Sequence, residues 1–167
     1  LLGPGAATAE QRDKGPYAEL VELVLVQCFP DLRAVVLNIG SRVYGVCDVT
    51  ADWDLTIVGE DEGPIIQKDP LAVLARLAQA LNEQNADAFV VPGLPVLKVK
   101  LQNRRESADI SWLNIAALQN SRFLYSFFRI VPPSVRFMIS DLKSMISAWK
   151  LLCPSSHFLS SYTFICI

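Results

Sequence analysis

Two aspartates separated by a single residue, Asp52 and Asp54, stand in an otherwise apolar run that ends at Val58. Strand side chains alternate between faces, so both carboxylates share one face while Trp53, Leu55 and Ile57 take the other. Two like charges held that close repel each other. Placing them on a sheet is costly unless a cation neutralises the pair, and a hard divalent ion with oxygen ligands does so best. A third carboxylate, Asp109, sits in a second run of the same kind, Ser107 to Trp112, again with apolar neighbours on the opposite face. If the two strands are neighbours, the three carboxylates converge on a two-metal site. Taken alone, Asp52-Trp53-Asp54 fits a pair of solvent-facing strand aspartates equally well. Upstream of it, Gly40-Ser41 falls between a β-branched run and a short turn, where backbone N–H groups and a hydroxyl can hold a phosphate at a helix N-terminus.

These residues need a sheet to carry them. Residues 1–15, rich in Gly, Ala and charge without a period, read as a flexible lead-in. Tyr17, Leu20, Val21, Val24 and Cys28 then fall on one helical face, and Pro30 stops that helix. Arg33 to Ile39 is a strand by its β-branched content; Gly40 breaks it and Ser41 is placed to cap a short turn. After the strand from Asp52 to Val58 comes an acidic Gly/Pro loop, Gly59 to Pro64. Leu71, Leu74, Leu77, Ala78 and Leu81 mark an amphipathic helix opened by Asp69 and Pro70. Further strands are expected at Asp87 to Val91, Pro95 to Leu101 and Glu106 to Trp112. The pattern is α+β around a mixed sheet.

Beyond Trp112 only helices are expected: Asn114 to Arg129, Ser134 to Leu152 and a third from about Phe158, separated by Pro132-Pro133 and Pro154. A boundary near residue 115 divides a sheet domain, 16–115, from the first part of an all-helical domain, 116–167. Phe123, Phe127, Phe128 and Trp149 lie at helical spacing and are expected in the core, as are Trp53 and Trp112 behind the carboxylates. The last segment, 159–167, is apolar, with neither a cap nor a polar tail. It carries the expectation that more chain, or a separate chain, completes the helical domain.

At 167 residues the chain suffices for one ordinary domain, or a small one plus part of another. Charged residues at 19%, hydrophobic residues at 51% and a mean hydropathy of +0.32 exclude disorder, and the apolar excess calls for surface that something else covers. A net charge of -2 excludes a broad basic field, so any RNA contact is local. Lys98 and Lys100, alternating on one strand face, and Arg104-Arg105 either line such a path or solvate an edge strand. Cys28, Cys47, Cys153 and Cys166 share no C-x-x-C spacing and read as reduced, buried thiols of an intracellular protein. The single histidine, His157, argues against zinc and reads as a surface residue. No run approaches the ~18 apolar residues of a membrane span, and no signal peptide is visible.

With these residues in place, the sequence resembles the DNA polymerase β-like nucleotidyltransferase superfamily. Within it, the likeness is to the RNA-tailing poly(A) polymerases and terminal uridylyltransferases, including the minimal trypanosomal enzymes. It spans roughly residues 17 to 167. It rests on Gly40-Ser41 with Tyr44-Gly45, on Asp52-Trp53-Asp54-Leu55, and on the strand from Pro95 to Lys100 that leads to Asp109-Ile110-Ser111. Asn120-Ser121, Val135-Arg136, Leu142-Lys143 and Leu159-Ser160-Ser161-Tyr162 complete it. The resemblance implies that Gly40 and Ser41 hold a triphosphate and that Asp52, Asp54 and Asp109 hold two Mg²⁺ ions, with Mn²⁺ as a substitute. It places Asn120 and Ser121 at the ribose or base edge, Lys143 at the phosphates, and Ser161 and Tyr162 at the nucleotide, with Tyr162 stacked on the base. Two positions depart from the pattern. Ser147 stands where the family repeats a lysine one turn after Lys143, with Lys150 as the nearest replacement, and Pro132-Pro133-Ser134 stands where Asp-Pro-Arg is usual.

The reaction implied is untemplated transfer of a nucleoside monophosphate from a triphosphate to the 3′-hydroxyl of single-stranded RNA. UTP is favoured, because the interval from Asp54 to Asp109 leaves no room for an inserted domain and so resembles the compact uridylyltransferases. A poly(A) polymerase using ATP is the alternative, and an inactive scaffold of the same fold a further one. A mitochondrial setting and a part in RNA editing follow only from the closer resemblance; otherwise the cytoplasm is expected.

Overall fold

Pro16, at a helical position whose N–H would be unpaired in any case, opens helix α1 (Pro16–Cys28). The helix buries Tyr17, Ala18, Val21, Val24 and Leu25 and ends just ahead of Pro30. In the computed structural model, which describes residues 11, 14–47, 51–61, 65 and 69–149, the chain then alternates strands and helices. Strand β1 (Ala34–Ile39) runs into a 3₁₀ turn (Gly40–Arg42), followed by β2 (Trp53–Gly59), α2 (Pro70–Glu83), β3 (Ala86–Val90), β4 (Val96–Leu101) and β5 (Ala108–Trp112). Two helices follow, α3 (Ile115–Ile130) and α4 (Pro133–Ala148). No described helix is long and apolar enough to cross a membrane.

The five strands form one mixed sheet in the order β1-β2-β5-β4-β3. Only β2 and β5 pair in parallel; every other neighbour is antiparallel. This is the α+β architecture that the alternation of patterns predicts.

Alternation divides the sheet between two environments. Leu55, Ile57, Leu97, Val99, Ala108, Ile110 and Trp112 form the main core with α1 and α2, and Trp53 packs at its margin. On the other face, Leu37, Ile39 and Val58 meet Leu118 of α3, while Tyr44 and Val46 meet Leu124 and Phe128 of the same helix. Helix α3 thus lies over the β1-β2 half of the sheet. On the β4-β3 half of that face, Phe89 and Lys100 are exposed.

Side-chain caps fix the helix starts. Asp69 accepts a hydrogen bond from the Ala72 amide at 3.1 Å, and Asn114 accepts one from Ala117 at 3.1 Å. Asp69→Ala and Asn114→Ala are each expected to cost about 1 kcal/mol, read as a lower denaturant midpoint. At the other end of α2, the Asn82 amide exchanges two hydrogen bonds with the backbone of Ala88, at 2.8 and 2.9 Å. That exchange locks the turn through Asn85, at φ +62°, into the start of β3.

Several expectations shift. Asp52 precedes β2 rather than lying in it, and Ser41 lies inside the 3₁₀ turn rather than capping it. In α2 the buried face is Val73, Leu74, Leu77, Ala78 and Leu81; Leu71, in the first turn, points outward. Of the aromatics expected in the core, Phe128 is buried, but Phe123 and Trp149 are exposed at 53% and 65%. Phe137, Met138 and Met145 of α4 are exposed too, because no described residue packs over them. Cys28 and Cys47 are free and half-buried rather than buried. Cys153, His157, Ser161, Tyr162 and the third helix lie outside the described residues, as does Cys166.

Candidate active site

The strand registers line up one row of side chains across the whole sheet. Ile39 of β1 pairs with Asp54 of β2, Asp54 with Asp109 of β5, Asp109 with Lys98 of β4, and Lys98 with Phe89 of β3. Two of the three carboxylates picked from the sequence are therefore immediate cross-strand neighbours. Their face is the one that α3 partly covers.

Burial, and then the charge of Asp109, raise the Asp54 carboxyl to about 6 from its ordinary 3.8. Lys143 and Arg42 pull it down, and Asp52 pushes it up further. The Lys98 ammonium lies 2.9 Å from Oδ1 of Asp109 and 3.0 Å from Oδ2. Oδ1 is shielded from water, and no hydrogen bond of good geometry reaches it.

Gly40 is pressed against this pair. Its φ is +73°, in the left-handed region that favours glycine, and a Cβ there would lie 2.3 Å from Oδ2 of Asp54. No other residue fits without moving the carboxylate. The Gly40 amide donates to Oγ of Ser121 at 2.8 Å, and Ser121 donates in turn to the Ala117 carbonyl at 2.7 Å. The hydroxyl expected at a ribose is thus buried and engaged in holding the turn. Ser41 is buried beside it.

Asp52 is exposed, and its Oδ1 accepts hydrogen bonds from both the amide and the hydroxyl of Ser107, each at 2.9 Å. The Trp53 amide donates to the Ser107 carbonyl at 2.8 Å. Asp52 is therefore anchored to the segment that leads into β5, at the same end of the sheet as Asp54 and Asp109. Arg42 stacks over Trp53, 4.3 Å from the ring centroid. It donates to the carbonyls of Ala51 and Asp52, fixing the start of β2 to the 3₁₀ turn.

From the helical part, Lys143 of α4 donates to the Val46 carbonyl at 3.1 Å, just past the turn. Asn120 is half-buried on α3, next to Ser121. Ser147 lies on α4, one turn beyond Lys143. Arg42, Lys98 and Ser107 are the site neighbours that the sequence reading did not place here. Lys98 had a signal in its alternation with Lys100 beside the β5 run; Arg42 and Ser107 had none.

The three carboxylates stand at one end of the sheet, and the charges of both Asp109 and Asp52 act on the Asp54 carboxyl. Among the described residues no three His, Cys, Asp or Glu side chains close around a metal position. Each outer carboxylate already has a partner: Asp109 is held by Lys98, and Asp52 by Ser107. The donor set nevertheless fits a hard divalent cation. It offers adjacent carboxylate oxygens, one of them shielded without a well-aligned donor, and a carboxyl whose ionisation is opposed by its neighbours.

An α+β unit whose mixed sheet carries paired aspartates beside a glycine turn defines a nucleotidyltransferase palm. The match to known proteins narrows the class: residues 6–129 fit the model of the mitochondrial-like poly(A) RNA polymerase central palm domain, and the chain belongs to that family. Among solved structures, it is similar to a cytoplasmic RNA terminal U-transferase at 19% identity, with a TM-score of 0.69 over 95% of this chain and 46% of that one. It is also similar to the Cid1 poly(U) polymerase bound to MgGTP, at 20% identity and TM-score 0.72 over 95% of this chain and 49% of that one. Cid1 in complex with its short product ApU gives 18% identity and TM-score 0.70, over 93% and 44%. The chain spans less than half the length of these three relatives, and at such identities the likeness is one of fold. No curated protein matches the chain.

Proposed function

We propose that this chain carries the catalytic part of a template-independent RNA nucleotidyltransferase that adds uridylyl residues from UTP to the 3′-hydroxyl of single-stranded RNA. The observation that carries the reading is the register pair Asp54 and Asp109 with Gly40 packed on the first of them. In the transfer, the RNA 3′-oxygen forms a bond to the α-phosphorus, the bond from that phosphorus to pyrophosphate breaks, and the 3′-hydroxyl proton is lost. Asp52, Asp54 and Asp109 would hold two divalent ions, whose chemistry when bound is to acidify the 3′-hydroxyl and to neutralise the leaving pyrophosphate.

The chain's own residues set the frame for that transfer. Ser121 and the left-handed glycine hold the 3₁₀ turn against Asp54, so the triphosphate would lie along the turn within reach of Ser41. Lys143 stands on the same side, near Val46, as a point charge for phosphate. The helices after residue 115 would form the first part of a nucleotide-binding unit, with Asn120 at the ribose. The places given to Ser147, Ser161 and Tyr162 rest on the resemblance.

The preference for UTP is supported by the uninterrupted interval from Asp54 to Asp109 and by the U-transferase fold relatives. ATP is the second reading, favoured by the poly(A) polymerase family, whose description also favours a mitochondrial setting. Incubation with a short single-stranded RNA, Mg²⁺ and each of four labelled triphosphates separates these readings. UMP addition is expected to dominate and to be lost in Asp109→Ala. AMP addition would favour the second reading, and addition that persists undiminished in Asp109→Ala would overturn both.

A further inference from the structure

The proposed chemistry leaves one charged member of the cross-sheet row unused. Asp109 lies between Asp54 on one side and Lys98 on the other, and Lys98 sits within 2.9–3.0 Å of both its carboxylate oxygens. That is where a cation serving this carboxylate would sit. The sheet register delivers the ammonium: Lys98 and Asp109 are directly opposed on antiparallel strands. Their side chains are 42% and 36% exposed, so the pair opens at small cost and the lysine stem has solvent to swing into.

We propose that Lys98 is the resident counter-cation of Asp109, and that a divalent ion must displace it to use that carboxylate. The inference rests on the reading that Asp109 is a metal ligand. Lys98 then acts as a positioning residue. It offsets part of the negative charge of Asp109 in the metal-free protein, and it sets the divalent concentration at which the site fills. A merely structural cross-strand pair would contribute to the sheet and leave metal affinity unchanged.

The test is a Mn²⁺ titration of the protein without nucleotide or RNA, with free ion read by electron paramagnetic resonance. Lys98→Met is expected to bind Mn²⁺ about fivefold more tightly, the factor that a half-exposed ion pair can withhold. Lys98→Gln, which keeps a hydrogen-bonding group without the charge, should do the same if methionine disturbs the sheet. Lys98→Arg grips a carboxylate with two parallel N–H donors and should bind Mn²⁺ no better than wild type.

Acetylation of Lys98, followed by mass spectrometry, separates displacement from a mere change of field. Its rate should rise when Mn²⁺ is added to the wild-type protein and stay constant in Asp109→Asn. Unchanged or weaker Mn²⁺ binding in both Lys98→Met and Lys98→Gln, or labelling of Lys98 that ignores the metal, would overturn the inference. A protein that exchanges Lys98 for Mn²⁺ yet transfers no nucleotide would count against the proposed function and leave this inference standing.

Discussion

Asp54→Asn is expected to melt about 5–10 °C above the wild-type protein at pH 7.5 without divalent cations, while transferring no nucleotide. The stabilisation follows from the Asp54 carboxyl, raised to about 6 by burial and by Asp109. A carboxyl whose folded pKa exceeds its unfolded value opposes folding once the unfolded state ionises. Below pH 3.8 both states hold the proton, and wild type and variant should match. Between pH about 4 and 6 the unfolded chain releases its proton first and the wild type loses stability; above 6 the loss is complete. The rise from 3.8 to about 6 corresponds to roughly 3 kcal/mol, which for a chain of this size is the melting difference given above. Mg²⁺ should close the gap by stabilising the wild type alone. Equal melting temperatures across pH 4 to 8 would mean that Asp54 carries no such cost.

Gly40→Ala is expected to lower kcat at least a hundredfold and to destabilise the protein by about 2–3 kcal/mol. The left-handed backbone costs an L-residue about 1–2 kcal/mol, and the new methyl would meet Asp54 Oδ2 at 2.3 Å and Cγ at 3.0 Å. Relief requires the carboxylate or the turn to shift, and displacements of about 1 Å in reacting groups cost about 10²-fold. Gly93 supplies the control: φ is +77°, but nothing lies within 4 Å of its added Cβ. Gly93→Ala should therefore show only the backbone cost in a melting experiment, with kcat retained. Normal turnover in Gly40→Ala would remove the turn from the site.

The elements of this site were legible where a short-range period decides them. The alternation around Asp54 and Asp109 put both carboxylates opposite an apolar face, and Leu55, Ile57 and Ile110 are indeed buried there. What the period cannot express is which strands meet. The parallel contact of β2 with β5 joins segments separated by α2, β3 and β4, and it brings Asp109 to Asp54. The antiparallel contact of β4 with β5 brings Lys98 to Asp109, a residue that sequence reading offered to RNA or solvent. Asp52 was drawn into the strand by its spacing, yet its side chain turns to Ser107, an interaction with no local signature. In α2 Val73 is buried and Leu71 exposed, since a leucine in the first turn can lie beyond the edge of the surface the helix covers. Phe123 of α3 and Trp149, just past the end of α4, show a further limit: helical spacing names a face but not what will cover it.

The strand order has a consequence for how the molecule comes together. β5 is the last strand in the chain but the middle one of the sheet. β1 with β2, and β3 with β4, can each pair as soon as they exist, leaving two half-sheets with facing open edges. Only when residues 108–112 slide between them does one sheet result. Closure of that long, non-local pairing is the slow kind of step in folding. The same step seats Asp109 beside Asp54, so the charged pair, and any affinity for metal that depends on it, arises only with the final strand. Partly folded chains would keep the two carboxylates apart and well hydrated, and their mutual repulsion would oppose only the closing event.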